Sequence, residues 1–163
     1  MNNIIKPGSG FLLPYKFKYL GWLLLAAGLI CSVLFLFIGL KYSLLDVNVF
    51  AVWSRYFDTR YFSIIENNIS EELTITILLS GLFLVAFSKM KNENDEISSI
   101  RIKALFLSVY INTGLLLFSA LFIYGLAFVY MAFFNIFSGL FLFILIFYID
   151  YCKYLIKIHR TTL

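Results

Sequence analysis

Histidine is nearly missing from this chain of 163 residues, which has one, His159. Haem proteins of the four-span type need paired axial histidines. Membrane phosphatases and serine proteases use a histidine base beside a nucleophile. His159 stands next to Arg160 near the last residue and suits a solvated or headgroup-level tail. Cysteine is almost as scarce. Cys31 and Cys152 form no C-x-x-C pair, which sets aside thiol-oxidase chemistry. One lies mid-way along the first apolar run and the other just past the last, about 15 Å apart in depth. A disulfide needs Cα atoms within roughly 7 Å, so no intrachain bridge is expected. No His/Cys/carboxylate cluster has metal-ligand spacing. Catalytic, cofactor-binding and metal-binding residues are all expected to be absent, and the chain reads as a non-enzyme.

Charge is scarce too. Asp, Glu, Lys and Arg make up 13% of the chain, against about 25% in a soluble domain. A soluble globular class is thereby excluded. The net charge of +4 does not imply nucleic acid, because the cations flank apolar runs and form no basic face. They read as topology signals and lipid-headgroup contacts, with the bilayer as the first partner.

What fills the chain instead is apolar: 62% hydrophobic residues, and a mean hydropathy of +0.93. Four runs are long enough to cross a hydrocarbon core of about 30 Å: residues 20–40, 69–87, 104–124 and 126–149. The expected fold is an all-α polytopic membrane protein, a single four-helix transmembrane bundle. Apart from Glu71 and Glu72 at the start of the second run, the runs hold no Asp, Glu, Lys, Arg or His. Proton-coupled transporters place ionisable groups inside the bilayer, and small four-span exporters rely on an intramembrane carboxylate. Asn112 and Asn135 are the candidate intramembrane polar contacts, lying at similar depth on either side of a turn at Gly125. Thr74, Thr76 and Ser80 are also read as interhelical hydrogen-bonding residues.

Ten of the 13 Lys and Arg residues fall in the N-terminal arm, in residues 88–103 and in the C-terminal tail. Lys41, Arg55 and Arg60 fall on the other side. This bias predicts that both termini and the 88–103 loop are cytoplasmic. Tyr15, Tyr19 and Trp22 suit an aromatic belt at the inner interface. On the outer side, Phe50, Trp53, Phe57, Tyr61 and Ile64 fall at helical steps, which predicts an amphipathic interfacial helix over residues 48–65.

The stretch FSKMKNENDEISSIRIK, residues 87–103, gathers seven of the 22 charged residues. Lys89 and Lys91 close one span, and Arg101 and Lys103 open the next. Asn92 or Asn94 can cap the following helix, with Asp95 and Glu96 in its first turn. That reading is punctuation between spans. The other makes Asp95, Glu96 and Arg101 a partner-docking surface. The stretch, followed by Asn112, LFIYGLAF and Asn135, resembles an uncharacterised family of small four-span bacterial inner-membrane proteins over residues 87–153. The family pattern has a Phe-Ser-Lys/Arg start, an acidic cluster and an Arg; here Asn94 interrupts the acidic cluster. The resemblance implies a four-helix architecture in a bacterial inner membrane and no known activity or cofactor. The expected function is an interaction or regulatory subunit, with a protein partner or a second copy of itself. A small transporter or channel using polar bundle residues is the alternative, and a lipid-acting enzyme a third.

Overall fold

The computed structural model describes residues 12–38, 45–55 and 59–161. Residue 6, residues 39–41 and residues 56–58, which enter the expectations above, lie outside them. The described chain is mostly helical, with four helices long and apolar enough to cross a membrane. These are α1 (Lys16–Ile38), α2 (Ser70–Phe87), α3 (Asp95–Phe122) and α4 (Leu126–Thr161), with strands β1 (Asp46–Arg55) and β2 (Thr59–Asn68) between α1 and α2. Two compact units are present. One comprises Met1–Trp22 and Leu82–Leu163, and the other Leu23–Gly81.

The expected helix over residues 48–65 is a β-hairpin, so the fold is not all-α. β1 and β2 pair antiparallel, with Phe50 opposite Ile64 and Trp53 opposite Tyr61. The physical reason lies in residue type. Val47, Val49, Val52, Ile64 and Ile65 are β-branched, and Phe50, Trp53, Tyr61 and Phe62 are aromatic, all of which favour a pleated backbone. Apolar residues occupy both alternation phases, so no clean period of two emerges, and the aromatics alone mimic a helical period. Phe50, Val52, Trp53, Tyr61, Phe62 and Ile64 are all exposed. Phe62 holds a φ of 48°, an uncommon conformation for an aromatic residue.

Helix boundaries follow local chemistry. Asn68 accepts from the Ser70 N–H at 3.1 Å, and Glu71 and Glu72 occupy the first turn of α2, where the helix dipole favours anions. Asn94 is the N-cap of α3 and accepts from the Ile97 N–H at 2.8 Å. α3 therefore begins nine residues before the expected span and runs for 28 residues, about 42 Å. Between α3 and α4, Gly125 takes a φ of +70°, the left-handed region open to glycine. α4 runs for 36 residues, about 54 Å. Its last turns carry the basic tail, where cations suit the helix C-terminus.

Close backbone approach replaces bulk at two glycines. A Cβ on Gly21 would lie 2.8 Å from the Val85 nitrogen, and one on Gly28 would lie 3.0 Å from the Leu78 Cα. This is the small-residue packing of membrane helices. Hydroxyls in the helices turn back on their own chain: Thr74 donates to the Ser70 carbonyl at 2.8 Å and Thr76 to Glu72 at 2.7 Å. Ser32, Ser108 and Ser119 do likewise. The expected interhelical role of Thr74 and Thr76 thus gives way to intrahelical bonds, which satisfy a hydroxyl in hydrocarbon without a neighbour. The buried apolar core gathers where the end of α2, the start of α3 and the second half of α4 converge, at Leu82, Val85, Ala86, Ile97, Ala104, Phe143, Ile144 and Phe147.

Candidate functional site

The 88–103 stretch is folded onto the helices that flank it. Leu13 and Ser88 form a parallel bridge. The Leu13 N–H donates to the Phe87 carbonyl at 2.9 Å, and the Lys89 N–H donates to the Leu13 carbonyl at 3.0 Å. The N-terminal arm is thereby fastened to the exit of α2. Two turns further on, Arg101 points inward and is 7% exposed. Its Nη2 meets both Glu93 carboxylate oxygens, at 3.0 and 3.2 Å, and its Nη1 donates to the Ala86 carbonyl at 3.1 Å. The guanidinium lies over the Phe147 ring, 4.5 Å from its centroid. Glu93 also accepts the Met90 N–H at 2.7 Å. One carboxylate thus closes the loop at its beginning and anchors the helix at its end. Asn94 uses its remaining amide to donate to the Tyr154 hydroxyl at 3.0 Å, tying the cap to α4.

A second cation sits beside this pair. Lys18 is 7% exposed, donates to the Met90 sulfur, and stands 5.0 Å from the centroid of the Tyr148 ring. It lies within electrostatic reach of both Arg101 and Glu93. Of these two cations, only Arg101 pairs directly with the Glu93 carboxylate. At the entrance, the Tyr15 and Tyr19 hydroxyls are 2.8 Å apart, and that hydrogen bond pushes the Tyr15 pKa above its ordinary value.

The structure parts the three residues expected to dock a partner. Asp95 and Glu96 are exposed in the first turn of α3, and Arg101 is inside. It brings Asn112 and Asn135 together. Their side-chain amides bond reciprocally, at 3.0 and 3.1 Å. Ser138 donates to the same Asn112 oxygen at 2.6 Å. Gly139 makes room for this clasp, since a Cβ there would sit 3.1 Å from the Asn112 nitrogen. Beside it, Ser108, Asn112, Thr113 and Phe143 line a groove of about 250 Å³. Cys31 and Cys152 are free thiols.

Sequence reasoning missed Glu93 and Lys18. The signal for Arg101 was a stripe: Ile97, Arg101, Ala104 and Ser108 fall at steps of four, three and four, and all four are buried. An arginine on that stripe needs a carboxylate near the helix start, and Glu93 supplies it. For Lys18 the sequence carries no such signal. Comparison of the chain with protein-family models, with curated proteins and with solved structures gives no match.

Proposed function

We propose that the chain is a non-enzymatic interaction subunit of a bacterial inner membrane, a four-helix transmembrane bundle with both termini and the 88–103 stretch in the cytoplasm. The observation that carries this reading is the set of contacts that ties down a charged stretch which needs none of them to serve as a linker. The Glu93–Arg101 pair, the Asn94 cap and the Leu13–Ser88 bridge hold it from three directions. That leaves the Asp95 and Glu96 carboxylates exposed on a fixed helix start, a preorganised acidic surface for a basic partner segment. The arm, the exit of α2 and the start of α3 meet at one end, which agrees with the positive-inside count. The resemblance over residues 87–153 supports the same setting.

The test is partner recovery from membranes beside a melting curve, for the wild type and for Asp95→Asn with Glu96→Gln. Docking predicts loss of the partner with a melting curve close to wild type. Unchanged recovery sinks the role of these two residues. A transporter reading draws support from the polar groove beside Asn112. Uptake by the purified protein in liposomes, lost in Asn112→Leu at unchanged stability, would favour it.

A further inference from the structure

A pocket of about 270 Å³ opens where the start of α1, the segment after α2 and the second half of α4 meet, lined by Lys18, Tyr19, Trp22, Lys91, Tyr148 and Tyr151. We infer that this pocket is a binding site for the headgroup of an anionic phospholipid, whose phosphate is held by Lys18 and Lys91.

The first argument is charge. Lys18 is buried and lines the pocket, yet among the described residues its ammonium meets only a thioether and a ring face. An ammonium carries three donors, and a thioether is a weak acceptor. The neighbouring carboxylate, Glu93, is taken up by Arg101 and by the Met90 N–H. Among the described residues, no carboxylate oxygen lies within salt-bridge distance of Lys18. A buried cation with no direct ion pair is costly, and an anion entering the pocket reduces that cost. Lys91, exposed at the same pocket, adds a second positive charge.

The second argument is shape and surroundings. Four tyrosines, Tyr15 with the three above, and a tryptophan surround the cations. Such amphipathic rings concentrate at the headgroup level of a bilayer. The helices that carry the pocket also expose Phe17, Leu20, Leu145 and Ile149, an apolar flank for acyl chains. A soluble phosphate compound would use the two lysines and leave the aromatic wall and that flank idle. A lipid uses all of them. Basic pockets between membrane helices on the cytoplasmic side bind anionic headgroups by the same chemistry.

The experiment is a lipid titration of the purified full chain by native mass spectrometry, with phosphatidylglycerol against phosphatidylcholine and with inorganic phosphate as a competitor. Wild type should retain phosphatidylglycerol in preference to phosphatidylcholine. Lys18→Gln should weaken phosphatidylglycerol retention by about tenfold, the loss expected for one charge-assisted hydrogen bond. Lys18→Arg should restore most of it. Circular dichroism melting checks that each variant folds. If Lys18→Gln does not fold, the exposed Lys91→Gln carries the test, with a smaller loss expected. Equal retention of the two lipids by wild type overturns the site. So does unchanged retention in a folded lysine variant. Displacement of the lipid by inorganic phosphate at matched headgroup concentration overturns the lipid as its source.

Discussion

Glu93→Gln removes one charge and little volume, and the structure sets its cost. The carboxylate and the guanidinium are 14% and 8% exposed, so the pair is largely out of water. Taking one partner from a buried pair costs about 3–5 kcal/mol, because the other charge is left uncompensated. Here the loss belongs at the low end. Glutamine still accepts a hydrogen bond, and the Ala86 carbonyl and the Phe147 ring still hold Arg101. The expected destabilisation is about 3 kcal/mol. Glu96→Gln, three residues away and exposed, is the control, with an expected loss of about 0.3–1 kcal/mol from the helix dipole alone. Reversible unfolding in mixed micelles measures both. A second check uses coupling: in an Arg101→Met background, Glu93→Gln should cost about 1 kcal/mol or less, because the cation needing the carboxylate is gone. If Glu93→Gln costs no more than Glu96→Gln, the ion pair does not hold the stretch in place, and the fixed acidic surface loses its foundation.

Three further outcomes are expected. Asn112→Leu and Asn135→Leu should each destabilise by about 1 kcal/mol, since each side chain makes three hydrogen bonds in the clasp; a neutral outcome at either contradicts the clasp geometry. Gly21→Ala should cost about 1–3 kcal/mol by driving a methyl into the Val85 backbone, while Gly114→Ala, with nothing near its Cβ, should be neutral or stabilising by up to about 1 kcal/mol, and thermal melts of the pair decide the matter. Gly139→Ala should destabilise only when Asn112 is present, so its cost should fall in an Asn112→Leu background; an unchanged cost shows that the glycine serves something else.

The helices were legible because twenty-odd apolar residues in a row have few other destinations, and a cap at Asn92 or Asn94 because an Asn before two acids before an apolar run suits a helix start; the structure uses Asn94. Asn112 and Asn135 were legible as neighbours because they lie at similar depth about a tight turn. The hairpin was not legible: aromatics on both phases of a strand erase its period, and their spacing imitated a helix. The inner-end cluster was hidden for a different reason. Glu93 and Arg101 each look like ordinary loop charges, and only the buried stripe on α3 turns Arg101 inward. Lys18 counted as one more positive-inside residue, because nothing in one dimension says that α4 covers it with Tyr148.

The proposed acidic surface and lipid pocket both require the 88–103 stretch to be cytoplasmic, and the Lys/Arg bias expects residue 48 on the other side of the membrane. Single cysteines at Asn92 and Asn48, both exposed, in a background lacking Cys31 and Cys152, report it directly when intact cells meet a membrane-impermeant thiol reagent. The account predicts labelling of Asn48→Cys in intact cells and of Asn92→Cys only after the membrane is opened. Labelling of Asn92→Cys but not Asn48→Cys in intact cells contradicts it.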